Sequence, residues 1–233
     1  MKTPPIFELT DRSVLVTGAG SGIGLATTKL LVDAGAHVHA VDFRPQVMSE
    51  RLADEISAGA ATTHGLDVTD VARVDRLFAA VGRLAPLDAV VLCAGTNIPN
   101  RRFHELGEPG WRTVLATNLD GVFSCLRAAL PQLRETHGHA VVIASVSALW
   151  PDWSGAAYQA SKAGVLALVR AAAYEEHEQG VRFTTVLPGM VRTELLDKRP
   201  EPPSEEIRAA RWCTLKTSRR RCFAHSSFPI AHV

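Results

Sequence analysis

No run of about 20 consecutive apolar residues occurs in the chain, which removes a membrane-spanning helix from consideration. The opening MKTPPIFELT lacks the basic, apolar and small-residue succession of a secretory leader, so a cytoplasmic location is expected. Excess charge is missing too: a formal net charge of +1 gives no reason to expect nucleic acid or an anionic membrane as partner. Cysteine is scarce, and Cys93, Cys125, Cys213 and Cys222 form no C-x-x-C pair, so no disulfide framework is expected. Cys93 ends an apolar run and is read as a small buried hydrophobe. Among nine histidines, His137 and His139 stand close together, but no H-E-x-x-H and no converging carboxylates accompany them. That pair is read as loop residues, and no metal site is expected.

What the chain does contain is apolar material, 46% of its residues, in a regular alternation. Ser13–Thr17, His37–Val41, Ala61–Leu66, Ala89–Leu92, Ala140–Ala144 and Arg182–Leu187 read as six strands. Helical patterns lie between them near Ile23–Asp33, Gln46–Ser57, Val71–Leu84, Trp111–Leu133 and Tyr158–Gln179. Runs such as VLV, AVVL and AVVI are almost continuously apolar, as strands covered on both faces must be. Gly35, Gly59 and Gly180 each follow a helical stretch, where a left-handed cap favours glycine. The alternation predicts an α/β fold: a Rossmann-like, doubly wound parallel sheet in three layers, with six or seven strands. Residues 1–212 form one domain, with no internal repeat and no linker before residue 198. Such sheets host many chemistries, so function must come from the site.

The first strand runs straight into Thr17-Gly18-Ala19-Gly20-Ser21-Gly22-Ile23-Gly24 and then a helix. Missing side chains let a pyrophosphate approach the backbone, and the helix N-terminus adds N–H donors and a favourable dipole. The generic G-x-G-x-x-G spacing fails because position 23 is isoleucine, and a P-loop fails because no Gly-Lys-Ser/Thr follows. Asp42 closes the second strand 18 residues beyond Gly24, near the offset at which a carboxylate accepts bonds from the adenosine ribose hydroxyls. It also repels a 2′-phosphate, so NAD is expected in preference to NADP, although Arg44 follows closely.

Tyr158 and Lys162 stand four residues apart, one turn along the same helix face. Alone the spacing is weak. In company with the glycine loop it resembles the short-chain dehydrogenase/reductase family, over about residues 8 to 212. The family's T-G-x-x-x-G-x-G loop is matched by Thr17 through Gly24, and its acidic residue after the second strand by Asp42, with Phe43 next to it. The aspartate-hydrophobic pair that contacts adenine in relatives is matched by Asp67 and Val68. Where relatives have Asn-Ala-Gly after the fourth strand, this chain has Cys93-Ala94-Gly95, so an amide that usually braces the sheet is absent. The family asparagine and serine are matched by Asn118 and Ser145, 40 and 13 residues before Tyr158. Ser147 is the less favoured serine. Pro188, Gly189, Val191 and Thr193 match the segment beside the nicotinamide.

The resemblance implies an NAD-dependent oxidoreductase that interconverts a secondary alcohol and a ketone by hydride transfer. Tyr158 serves as general acid/base, and Lys162 lowers its proton affinity and holds the nicotinamide ribose. Ser145 donates to the substrate oxygen, and Asn118 positions a water that links Lys162 to solvent. A free tyrosine titrates near 10, so service as a base near neutrality needs a positive field worth roughly 3–4 kcal/mol. Other readings on the same scaffold are a non-redox epimerase or dehydratase and a catalytically impaired NAD-binding homologue. The implied partner is a small alcohol or ketone. The implied assembly is a homodimer or homotetramer through the long helices.

Substrate contacts are expected from Thr96–Phe103, Ala148–Gly155 and Met190 onward. Trp150 and Trp153 are read either as pocket walls for an apolar or ring-containing substrate or as interface or core residues. Arg101 and Arg102 are read as an exposed, solvated pair, with contact to an acidic substrate as the other reading. Pro200–Arg211 is expected to begin a lid helix. After Trp212 the family pattern stops. Residues 213–233 read as an atypical, poorly ordered tail and a candidate frameshift: GC-rich codons for Leu215 onward, shifted by two bases, yield Q-D-V-A-A-A-V-L-R, similar to the helix before the last strand of relatives. On that reading the seventh strand is missing and an edge is exposed.

Overall fold

A computed structural model of the chain describes residues 8–191, 193 and 194. The six strands β1 (Ser13–Thr17), β2 (His37–Asp42), β3 (Ala61–Gly65), β4 (Ala89–Leu92), β5 (His139–Ile143) and β6 (Arg182–Val186) form one parallel sheet. Their order is β3-β2-β1-β4-β5-β6. The sequence direction reverses between β1 and β4, and the crevice beyond their carboxyl ends is where such sheets bind ligands.

Side chains alternate across a strand, so consecutive apolar residues feed two cores. Val14, Val16, Val38, Ala40 and Val91 pack on one side with Met48 and Leu52. Leu15, Val41, Val90 and Leu92 pack on the other with Val74, Phe78, Leu126 and Leu133. This is why the strands read as unbroken apolar runs. Helices α1 (Gly22–Asp33), α2 (Pro45–Arg51), α3 (Ala53–Ser57), α4 (Val71–Gly82), α5 (Glu108–Leu115), α6 (Gly121–Thr136) and α7 (Ala156–Glu176) complete the three layers. Among the described residues no helix is long and apolar enough to cross a membrane.

Two expected helices are interrupted, each for a local reason. The pattern at 46–57 breaks at Leu52, whose φ of −112° and ψ of 21° leave the helical region while its side chain is fully buried. The pattern at 111–133 contains a π-helical turn, Ala116–Asp120, between α5 and α6. There the Gly121 N–H bonds the Ala116 carbonyl, one residue further back than an α-helix allows. Gly35, Gly59 and Gly180 do adopt left-handed φ values of 94°, 69° and 76°. The histidine pair differs from the loop reading: His137 is the left-handed cap of α6, and His139 begins β5 with its Nε2 2.8 Å from Thr184 Oγ1. The seventh strand, the lid helix, Cys213, Cys222 and the tail lie outside the described residues.

Candidate active site

The turn after β1 is tied to the end of β4 by one hydroxyl. Thr17, 1% exposed, accepts the backbone N–H groups of Cys93 and Ala94 on Oγ1, each at 3.2 Å. It therefore joins the two strands that flank the crevice. Gly18 follows with φ 67°, and a methyl there would lie 2.9 Å from the Ala94 nitrogen. A methyl on Gly24 would fall 2.1 Å from the Gly18 carbonyl oxygen, so the first turn of α1 packs directly on the loop. Ser21 precedes α1 in extended conformation and makes no side-chain cap, leaving the N–H groups of the first turn to another acceptor.

Asp42, 4% exposed, points from the end of β2 into the same loop. Its Oδ2 accepts the Gly20 N–H at 2.9 Å, and its Oδ1 accepts the Arg44 N–H at 2.9 Å. A second arginine arrives from α2: Arg51 Nη1 donates to the Gly20 carbonyl at 2.8 Å. Arg44 reaches Ser21 Oγ at 3.2 Å, and its guanidinium lies 5.2 Å from the ring of the exposed Phe43. Glu194 closes the group, with Oε1 2.6 Å from Arg51 and Oε2 3.2 Å from Arg44. These two guanidiniums hold the Glu194 carboxyl below the usual carboxylate range. Thr193 packs on the loop as well, since a methyl on Gly22 would lie 3.0 Å from its Cγ2.

At the other end of the crevice, Lys162 is 4% exposed and donates from Nζ to the Ile143 carbonyl at 2.8 Å. Burial pulls its pKa down to about 8, so the ammonium still predominates at pH 7. Its Nζ is 5.8 Å from the centre of the Tyr158 ring. Asn118 sits fully buried in the π turn. Oδ1 accepts the Thr96 N–H at 2.7 Å, while Nδ2 donates to the Thr96 carbonyl at 3.0 Å and to Ser161 Oγ at 3.1 Å. Ser161 in turn donates to the Tyr158 carbonyl at 2.7 Å. The Asn118 amide thus braces the loop after β4 against the first turns of α7. Gly95 leaves room between: a methyl there would stand 3.4 Å from Asn118 Oδ1 and 3.7 Å from Lys162 Nζ. Ser145 opens a short turn after β5, 8% exposed, and accepts the Ser147 N–H at 3.2 Å.

The chain that carries this crevice is similar to known proteins. The model of the family described as short chain dehydrogenase covers residues 12–203. The chain belongs to that family. Meso-2,3-butanediol dehydrogenase of Serratia marcescens is 32% identical over 192 residues, spanning 82% of this chain and 76% of that protein. The 2-keto-3-deoxy-L-fuconate dehydrogenase of Xanthomonas campestris is 33% identical, and its match spans 84% of this chain but 64% of its own length. A solved short-chain type dehydrogenase/reductase from Mycobacterium ulcerans superposes with a TM-score of 0.77 at 29% identity, covering 82% of this chain and 71% of that one. The chain is therefore an oxidoreductase of a family that generally binds NAD(P).

Of the remaining expected cofactor residues, Asp67 is exposed but folds its Oδ1 onto Thr69, from N at 2.9 Å and Oγ1 at 2.8 Å. Val68 is 6% exposed and packs on Gly121, where a methyl would lie 2.7 Å from its Cγ2. Ala94 packs against the core, and Cys93 is partly buried, its thiol pushed up to about 12 by burial. Pro188 accepts the Val146 N–H at 3.1 Å; Gly189 and Val191 follow at the rim. Trp150 and Trp153 are 66% and 80% exposed, so neither is a core residue. The reading of Arg101 and Arg102 as an exposed pair is half corrected: Arg101 is 5% exposed, with Nε donating to the Ile98 carbonyl at 2.8 Å. Its neighbour Arg102 lies 6.0 Å over the Trp153 ring. Among the described residues no group of three metal-ligating side chains converges.

Sequence reasoning missed Arg51, Glu194, Ser161 and Asp152. Only Asp152 carried a local signal, the Asp-x-Ser spacing of a turn in which its Oδ1 accepts the Ser154 N–H at 2.8 Å.

Proposed function

We propose that the chain interconverts a secondary alcohol and a ketone with NAD, using Tyr158 as the general acid/base. The observation that carries this is the buried Lys162 ammonium, 5.8 Å from the Tyr158 ring and with its Nζ bonded to the Ile143 carbonyl. A positive charge so placed favours the ionised phenol, the form needed to take a proton from an alcohol. Ser145 donates a hydrogen bond to the substrate oxygen as charge develops there. Asn118 positions a water that links Lys162 to solvent, while its amide braces the loop after β4 against α7 through Thr96 and Ser161.

The residues present fit a dinucleotide. Gly18, Gly20 and Gly22 let Ala94, Asp42 and Thr193 pack against the loop, and the uncapped first turn of α1 (Gly22, Ile23, Gly24) supplies donors for a pyrophosphate. Asp42 favours a ribose hydroxyl over a phosphate, and the pairing of Arg44 and Arg51 with Glu194 further supports NAD over NADP. Phe43, Asp67 and Val68 flank the adenine end; Cys93, Ala94, Gly95, Pro188, Gly189, Val191 and Thr193 flank the nicotinamide end. When bound, the nicotinamide supplies the hydride acceptor. Exposed Phe123 on α6 and Tyr174 on α7 support self-association through these long helices, which size-exclusion chromatography with light scattering would detect.

The test is NADH absorbance with a panel of secondary alcohols and ketones, run on wild type and Tyr158→Phe. Turnover that vanishes in the variant, with NAD affinity within about twofold of wild type, is expected. A variant retaining most of its rate would sink the assignment of Tyr158.

A further inference from the structure

Ser147 and Asp152 lie just beyond the residues used above. Ser145 Oγ accepts the Ser147 backbone N–H at 3.2 Å and donates its own proton to Ser147 Oγ at 3.1 Å. Ser147 Oγ donates in turn to Asp152 Oδ2 at 2.5 Å and lies 3.3 Å from Ser154 Oγ. A hydroxyl carries one proton. With that of Ser147 held by a carboxylate, its oxygen can only accept from the Ser145 side.

The carboxylate is itself anchored. Asp152 Oδ1 takes the Ser154 N–H at 2.8 Å, and Asn97, 5% exposed, donates to the Ser154 carbonyl at 2.9 Å. A methyl on Gly155 would fall 2.5 Å from the Arg101 carbonyl oxygen. The loop after β5 is thus clasped to the loop after β4. Asp152 remains exposed, while Ser145 and Ser147 are 8% and 6% exposed. The charge is not buried, yet its acceptor oxygen reaches a buried pair of hydroxyls.

We propose that Ser147 and Asp152 are positioning residues for Ser145: the carboxylate orients the Ser147 hydroxyl, and Ser147 holds Ser145 Oγ in one rotamer. This rests on the reading that Ser145 touches the substrate oxygen. When substrate binds, the Ser145 proton turns from Ser147 to that oxygen. The Ser147 N–H keeps Ser145 Oγ in place, and Asp152 and Ser154 keep the Ser147 hydroxyl satisfied. Only the hydroxyl proton turns, while Ser145 Oγ keeps its place, which is the benefit of a preorganised donor atom.

Ser147→Ala removes the hydroxyl and leaves the clamp between Asp152 and the Ser154 N–H intact, so a purely structural role for Asp152 predicts no change. With NAD and either meso-2,3-butanediol or cyclohexanol, kcat is expected to fall about tenfold while KM stays within about twofold and Tm holds. Ser147→Thr keeps the hydroxyl and should retain most of the rate, whereas Asp152→Asn has one acceptor where the carboxylate uses two and should lower kcat as Ser147→Ala does. Wild-type kcat in Ser147→Ala and Asp152→Ala together overturns the proposal. A crystal structure of Asp152→Ala decides it without catalysis. Ser145 leaving its contact with Ser147 supports the proposal, and an unmoved Ser145 in a single rotamer overturns it. A Tyr158→Phe variant that stays active would undo the catalytic reading alone, leaving that structural outcome to stand by itself.

Discussion

Gly20 donates its backbone N–H to Asp42 Oδ2 at 2.9 Å, so the residue expected to recognise the cofactor ribose also shapes the loop beneath it. A methyl on Gly20 would lie 2.8 Å from the same oxygen, which is why a side chain is not tolerated there. Asp42→Ala should weaken NAD binding and relax discrimination against NADP. It should also cost roughly 1–3 kcal/mol of stability, because two loop N–H groups lose a buried charged acceptor. Fluorescence titration and thermal melts read the two effects, and an unchanged cofactor preference would count against the ribose role.

Glu194 neutralises Arg44 and Arg51 beside that carboxylate. A phosphate would compete for the same guanidiniums. Glu194→Ala is therefore expected to raise affinity for NADP relative to NAD, and Arg51→Ala in the same background to reverse the gain. Titrations of both dinucleotides check this; a preference indifferent to Glu194 removes it as a determinant.

Lys162 is kept where its charge is poorly solvated, its pKa brought down from 10.5 to about 8 by burial. Below pH 8 the folded protein carries the cost of that buried ammonium, roughly 2–3 kcal/mol, partly offset by the bond to Ile143. Lys162→Met should abolish turnover while holding or raising Tm at pH 7. A large fall in Tm would show that the ammonium stabilises the fold.

His37, His39 and His64 line up across β2 and β3, with His39 Nδ1 3.2 Å from His64 Nε2. Burial, then the charge of His64 and His37, takes the His39 pKa down to about 4, and His64 is lowered by burial and His37. The folded state prefers the neutral rings, so stability is full above pH 6.5, the ordinary value, and is lost as pH falls toward 4. The His39 share is roughly 2–3 kcal/mol. Thermal melts between pH 7.5 and 4.5 should show this fall, and His39→Val should flatten it; an equal slope in the variant argues that other groups are responsible.

The fold was legible because its signals are local. Strands covered on both faces must be apolar throughout, and the helix caps at Gly35, Gly59 and Gly180 need only their own backbone conformation. The one-turn spacing of Tyr158 and Lys162 likewise marks one face of α7, and Ser145 stands just past a strand end. The π turn at Ala116–Asp120 had no such signal, since it depends on what Asn118 meets in Thr96 and Ser161.

By itself, then, the amino-acid order determined the alternation of elements, the glycine loop, the family resemblance and the one-turn spacing of Tyr158 and Lys162. Tertiary structure alone decided which polar groups became partners. Arg51 and Glu194 are 143 residues apart and Asn97 and Ser154 are 57 apart, and each pair meets only because the crossovers bring segments distant in sequence together beyond the carboxyl ends of the strands. It also decided that Arg101 is buried and that Ser147 is bound to Asp152. Hydrogen bonds between distant side chains leave no periodicity in the chain, because their geometry is set by the packing of the elements that carry them.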